Sequence, residues 1–222
     1  VKDVFVSLCC SFDASDFCKY NLQKEPEAAC SGERRTLQYG NGFKKFFEIY
    51  KNYSDLYDNI YIIDNTLQNK SSLDQRVINE IPESANFIFT QQNNYGKLNK
   101  GAGIVENWEF LKEKIFEYEF MFHFEPRLLL NSSEIFDRFV KERKTTFLTH
   151  YIEQFKTGAM ILKISDLKRY LNHRKALDLC YPYISLEDDI YHFFKKNKKD
   201  FTLIENSGML WHDAAIDTWV EY

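Results

Sequence analysis

Three consecutive acids, Glu187-Asp188-Asp189, stand at the start of a helical pattern that runs from Leu186 to Phe194. Acids in a first helical turn interact favourably with the helix dipole, and that is their plain reading. Three in a row exceed what capping needs. One of them in a cleft is suited to act as a general base, taking a proton from an incoming hydroxyl. A second group is Glu125-Pro126-Arg127, which directly follows the apolar run Phe120-Met121-Phe122-His123-Phe124. Arg127 offers a planar fork for a diphosphate and a fixed positive charge in place of a divalent ion. The alternative for it is a surface salt bridge with a nearby acid.

A third group lies in Asn93-Asn94-Tyr95-Gly96-Lys97-Leu98-Asn99-Lys100-Gly101-Ala102-Gly103. It sits between the strand-like Phe87 to Thr90 and a helical pattern at Ile104, Trp108, Leu111 and Ile115. Glycines let a backbone approach a ligand closely, and the first helical turn presents unpaired N–H groups to an anion. Gly96, Gly101 and Gly103 are among only 8 glycines in the chain, so their clustering counts. Asp64-Asn65 ends another apolar run, and a carboxylate there can accept hydrogen bonds from a base or a ribose. Thr157-Gly158-Ala159 precedes a strand-like run and is suited to line an acceptor site, or is a simple turn. In Trp211-His212-Asp213, the Trp is a platform for a sugar ring and His212 a metal or phosphate contact, although a lone His is more often structural. No Ser/His/Asp order, P-loop or zinc helix is visible.

Something must hold these groups together. Val4 to Leu8, Asn59 to Asn65, Phe87 to Thr90, Phe120 to Phe124, Thr146 to His150, Ala159 to Lys163 and Phe201 to Ile204 read as strands. Helices are expected around Phe43 to Tyr50, Leu73 to Ile81, after Gly103, from Ser133 to Glu142 with a serine cap, from Ser165 to Leu171 and from Leu186. Residues 13–41 read as a long loop or lid with a short helix. Alternating strands and helices in the first half predict an α/β fold, with a Rossmann-type, mostly parallel sheet and helices on both faces. Such sheets bind ligands at the carboxyl ends of their strands. Asp64-Asn65, Asn93-Asn94 and Glu125-x-Arg127 all fall at such ends.

Composition narrows the classes. The 222 residues fit one α/β domain spanning the chain. A 44% hydrophobic, 17% aromatic chain has a large core. A net charge of -4 gives no footprint for nucleic acid, and the basic run Lys195 to Lys199 reads as a solvated helix end. The cysteines Cys9, Cys10, Cys18, Cys30 and Cys180 match neither a disulfide framework nor a zinc motif, which points to a reducing compartment. No signal peptide or membrane-span pattern is visible.

Taken together these residues resemble a GT-A-fold glycosyltransferase, near the bacterial family 2 type, over most of the chain from Val4 to Asp213. The resemblance assigns nucleotide-sugar binding to Asp64, Asn65, Asn94, Gly96, Asn99, Lys100, Glu125 and Arg127. It assigns catalysis to Asp188, with Glu187 next, and the acceptor to Thr157, Gly158 and Trp211. The sequence departs from the family where Glu125-Pro126-Arg127 replaces an Asp-x-Asp that holds Mg²⁺ or Mn²⁺, and in its long 13–41 segment. Glu125 and His212 are the residues left for such a metal, and a metal-independent branch is the alternative. The resemblance implies an inverting hexosyltransferase-like enzyme of bacterial surface polysaccharide synthesis, using a nucleotide-sugar donor and a glycan or lipid-linked acceptor. It implies a cytoplasmic protein, with peripheral contact at the inner face of the membrane left open. A non-catalytic nucleotide- or glycan-binding relative is the second reading. A nucleotidyltransferase is a weaker third, since no basic glycine-rich signature follows the first strand.

Overall fold

The computed structural model describes residues 2–15, 32–56, 59–149, 154–197, 199–205, 208–213 and 218–221. Strands β1 (Lys2–Cys10), β2 (Asn59–Asp64), β3 (Asn86–Phe89) and β4 (Tyr118–Phe124) are parallel neighbours in the order β3-β2-β1-β4. A two-residue strand, β5 (Leu129–Leu130), follows β4. The main sheet continues through β7 (Phe155–Lys163), antiparallel to β4, then β6 (Thr146–Thr149), antiparallel to β7, and β8 (Thr202–Ile204), parallel to β6. This seven-stranded sheet is therefore parallel except for β7. A smaller sheet joins β5 to β9 (Met209–Asp213) and β10 (Thr218–Glu221).

Successive side chains of β1 go to opposite faces, as a period of two requires. Val4, Val6 and Leu8 join one core with α1 (Gly32–Tyr50), the short α2 (Gln75–Ile78) and α4 (Glu134–Glu142). Phe5 and Cys9 join the other with α3 (Lys100–Ile115), α5 (Ile164–His173), α6 (Ala176–Cys180) and α7 (Leu186–Lys196). The expected mostly parallel α/β sheet with helices on both faces is what the chain forms. Phe43 and Phe46 of α1 are fully buried, a contribution of about 1.5–3 kcal/mol for each such side chain.

Several boundaries differ from the sequence reading. Residues 32–41 are helical rather than part of a loop, and α1 buries Arg35, Gln38, Tyr39, Gly42, Phe43, Phe46 and Tyr50 at helical spacing. Polar and small residues in that stripe hide its first two turns from a hydrophobicity pattern. Residues 16–31 of the expected lid, with Cys18 and Cys30, lie outside the described residues, as do His150 and Lys198. The helix expected over Leu73 to Ile81 is only α2, capped by Asp74, whose carboxylate accepts from the Arg76 N–H. Thr157 and Gly158 lie inside β7, not in a turn before it, because the 155–163 run pairs on both edges. Strands β5, β9 and β10 and helix α6 had no counterpart in the sequence reading. At the start of α4 it is Ser132 whose Oγ accepts from the Glu134 N–H, while Ser133 makes no side-chain cap bond. No helix among the described residues is long and apolar enough to cross a membrane.

Candidate functional site

A cavity opens at the carboxyl ends of β1, β2 and β4. Ser11, Asn65, Asn93, Glu125 and Arg127 come from the strand ends and the segments that follow them. Because β7 is reversed, its amino end lies at the same edge, and Thr157 reaches the cavity. The start of α3 contributes Asn99, Lys100 and Gly101, the start of α7 contributes Ser185 and Glu187, and α1 contributes Arg35 and Tyr39.

The strand-end segments are tied to one another. Asn65 Oδ1 accepts from Ser11 Oγ at 3.0 Å, and Asn65 Nδ2 points to Asn93 Oδ1 at 3.4 Å. Arg35 donates through Nε (3.0 Å) and Nη2 (2.7 Å) to the Ser11 carbonyl, and the Ser11 N–H donates to the Tyr39 hydroxyl at 2.7 Å. Gly96 and Gly103 pack backbone to backbone: a Cβ on Gly103 would stand 2.7 Å from the Gly96 Cα. Only glycines permit that approach, which sets the 93–99 turn against the first turn of α3. Asn99 caps α3 by accepting from the Ala102 N–H, and its Nδ2 donates to the carbonyls of Leu179 and Ile184. One residue thus fixes the start of α3 and the segment leading into α7.

The three acids of α7 divide their roles. Successive helical positions are about 100° apart, so they cannot share a partner. Glu187 lines the cavity and accepts from Thr157 Oγ1 at 2.7 Å. Asp188 turns back to accept from Ser185 Oγ (2.6 Å) and from Gln154 Nε2 (2.7 Å). Asp189 is buried against the Tyr170 hydroxyl (2.8 Å) and Arg174 Nε (3.0 Å). The Asp188 carboxylate is therefore engaged at the helix start, whereas Glu187 faces the cavity. Burial lifts the Glu187 carboxyl above its ordinary range, and the Thr157 hydrogen bond only partly opposes this.

Asp64 is not among the residues that line the cavity. It is fully buried, and its carboxylate accepts from the N–H groups of Phe12 (2.8 Å), Thr66 (2.8 Å) and Leu67 (2.6 Å) and from Thr66 Oγ1. It shapes the two segments after β1 and β2, and Asn65 beside it meets the cavity. Asn94 is exposed and turned away, its N–H and Nδ2 both donating to Glu106 Oε1. Asn93 takes its place in the lining. Gly158 stands behind the site, where its carbonyl accepts from the Glu125 N–H at 2.8 Å. Trp211 and His212 lie on β9, and their side chains are outside the described residues.

Arg127 Nε donates to Glu125 Oε2 at 2.8 Å, with both side chains in the cavity wall. Burial would lift the Glu125 carboxyl, but the charge and hydrogen bond of Arg127, with the charge of Lys100, bring it below its usual value. The Glu125 carboxylate is paired with a fixed cation, and no group of three His, Cys, Asp or Glu able to hold a metal lies among the described residues. Burial pushes the Cys9 thiol up to about 12 and the His123 imidazole down to about 4, keeping both neutral. Sequence reasoning missed Arg35, Tyr39, Tyr183 and Ser185. The first two gave no hydrophobicity signal, because Arg35, Gln38 and Gly42 interrupt the buried stripe of α1.

No protein-family profile matches the chain, and no curated protein matches it by sequence. Solved structures do match in fold. A protein from Desulfovibrio desulfuricans assigned as a nucleotide-diphospho-sugar transferase aligns with TM-score 0.54 and 6% identity, over 92% of this chain and 80% of that one. The CTP:phosphocholine cytidylyltransferase LicC of Streptococcus pneumoniae aligns with TM-score 0.53 and 12% identity, over 97% and 96%. A 4-diphosphocytidyl-2C-methyl-D-erythritol synthase aligns with TM-score 0.51 and 11% identity, over 100% and 94%. The chain therefore has the GT-A-like fold of nucleotide-diphospho-sugar transferases and cytidylyltransferases.

Proposed function

We propose that the protein is a glycosyltransferase that moves a sugar from a nucleoside diphosphate to a hydroxyl acceptor with inversion. The observation that carries this reading is that a buried carboxylate, Glu187, and three cationic side chains, Arg35, Lys100 and Arg127, line one cavity at the carboxyl edge of the sheet. The cations suit a diphosphate, whose charge grows as it leaves. Glu187 suits the acceptor: it takes the hydroxyl proton as the oxygen bonds to the anomeric carbon from the side opposite the departing diphosphate. The bond from the anomeric carbon to the phosphate oxygen breaks in the same step.

In this reading Asn65 and Asn93 meet the nucleotide, Lys100 and Arg127 the phosphates, and Thr157 orients Glu187. Arg127 supplies positive charge without a divalent cation. The fold likeness to nucleotide-diphospho-sugar transferases supports a nucleotide donor. Cytidylyltransferases share the fold as well, but the segment after β1, Ser11-Phe12-Asp13-Ala14, has no glycine to bring backbone N–H groups around a triphosphate, which favours sugar transfer. The resemblance supports a role in surface glycan synthesis.

Calorimetric titration with UDP, GDP and CDP tests the reading. One of them should bind without added metal, and Arg127→Ala should weaken it about tenfold or more, the scale of a lost charge-assisted hydrogen bond. Absence of binding by all three overturns it. Binding without turnover of any donor would instead assign the chain to the non-catalytic relatives of the fold.

A further inference from the structure

We infer that Glu106 of α3 is a positioning residue for the donor side of the site, holding the turn after β3 so that Asn93 and Gly96 meet the cavity. The inference rests on the nucleotide-donor reading and deepens it.

Glu106 is 6% exposed and is not part of the cavity lining. Its Oε1 accepts from the Asn94 N–H at 3.1 Å and from Asn94 Nδ2 at 3.0 Å, and its Oε2 accepts from the Tyr95 N–H at 3.1 Å. A buried carboxylate needs such donors, and bonds to a charged acceptor are stronger than neutral ones. Both oxygens are used, so the pairing fixes two successive residues of the turn. Asn93 and Gly96 stand on either side of that pair, and both line the cavity.

The same face of α3 holds the rest of the segment. Gly103, Glu106 and Asn107 are three and four positions apart, which puts them on one side of the helix. Asn107 Oδ1 accepts from Thr90 Oγ1 at 3.0 Å, directly after β3, and Gly103 packs against Gly96. The 90–96 segment is thus tied to one helix at its start, middle and end. The Thr90 bond joins neutral groups and the glycine contact is packing, so the middle tie is the one that carries charge. The Tyr95 carbonyl extends the hold, accepting from the N–H groups of Leu98 and Asn99 at 2.9 Å each. Glu106 therefore sets where Asn93 stands beside Asn65, whose Nδ2 lies 3.4 Å from Asn93 Oδ1.

The test is calorimetric titration of the whole protein with UDP, GDP and CDP. It compares the parent with Glu106→Ala, Glu106→Gln and a control, Phe139→Leu, a core substitution in α4 on the other face of the sheet. The nucleoside diphosphate that the parent binds should bind about tenfold more weakly to Glu106→Ala, as when about a tenth of the molecules hold a competent turn. Glu106→Gln keeps one acceptor oxygen and should fall between Glu106→Ala and the parent. Phe139→Leu should keep the parent's affinity. With the matching nucleotide sugar, donor KM should rise in both Glu106 variants while kcat stays within about threefold, the sign of lost binding rather than lost chemistry. Parent affinity in Glu106→Ala overturns the inference, as does an equal loss in Phe139→Leu. If Glu106→Ala does not fold, parent affinity in Glu106→Gln overturns it instead. Binding of none of the three by the parent overturns the donor reading, and the inference falls with it.

Discussion

Thr157 Oγ1 donates to Glu187 Oε1 at 2.7 Å, joining the one reversed strand of the main sheet to the first turn of α7. Thr157 is 1% exposed, so it has few alternative partners, and the bond holds one oxygen of the Glu187 carboxylate. The bond also separates Glu187 from its two acidic neighbours, which are bound elsewhere.

That separation sets the expected behaviour of the neighbouring acid. Asp188→Ala removes the partner of Ser185 Oγ and Gln154 Nε2 but nothing in the cavity lining. It should lower stability by about 1 kcal/mol, the usual scale of a lost helix-start interaction, and leave turnover within about tenfold. Urea unfolding beside steady-state kinetics checks both.

The pH profile follows from Glu187. Burial raises its carboxyl above the ordinary glutamate range, and a base works only when deprotonated. Activity should fall as pH drops through that raised value, so the acid limb of kcat/KM lies above the normal glutamate titration near 4.5. Thr157→Val removes a hydrogen bond that favours the charged form, and should move the limb to still higher pH.

Asp64 is expected to act on stability before binding. Asp64→Ala leaves the N–H groups of Phe12, Thr66 and Leu67 without their acceptor in a buried site. A loss of roughly 2–4 kcal/mol is expected in urea unfolding, with weaker nucleotide binding following from the disordered segments after β1 and β2.

The strands of the main sheet were legible as apolar runs, and the order of alternation was enough to read a mostly parallel sheet. The first half of helix α1 was not, because Arg35, Gln38 and Gly42 occupy buried positions of its stripe. The site was legible as an edge but not as a set of side chains. Which of Glu187, Asp188 and Asp189 meets the cavity depends on the helix phase, set by the Ser185 cap and by the contact of Leu186 with Gly101. Neither is visible in a run of acids. Asp64 looked like a ligand contact because its partners are backbone N–H groups, which every residue carries. Tyr183 gave no signal at all, since an aromatic residue in an aromatic-rich chain reads as core.

Chelation probes the Glu125–Arg127 pair. A cation already holds the carboxylate at 2.8 Å, so donor turnover should persist in excess EDTA. Activity lost to EDTA and restored by Mn²⁺ would assign a metal to this wall after all, with Glu125 as the first ligand to test by substitution.

The central claim is tested most directly by nucleoside diphosphate release from a panel of nucleotide sugars, followed by mass spectrometry in the parent protein and in Glu187→Gln. The variant keeps the shape and the Thr157 contact but not the base. The parent should release one nucleoside diphosphate in an acceptor-dependent way. The variant should do so about 10²–10⁴-fold more slowly, with donor affinity nearly unchanged. Equal rates in the two proteins, or no release from any donor by the parent, would contradict the account.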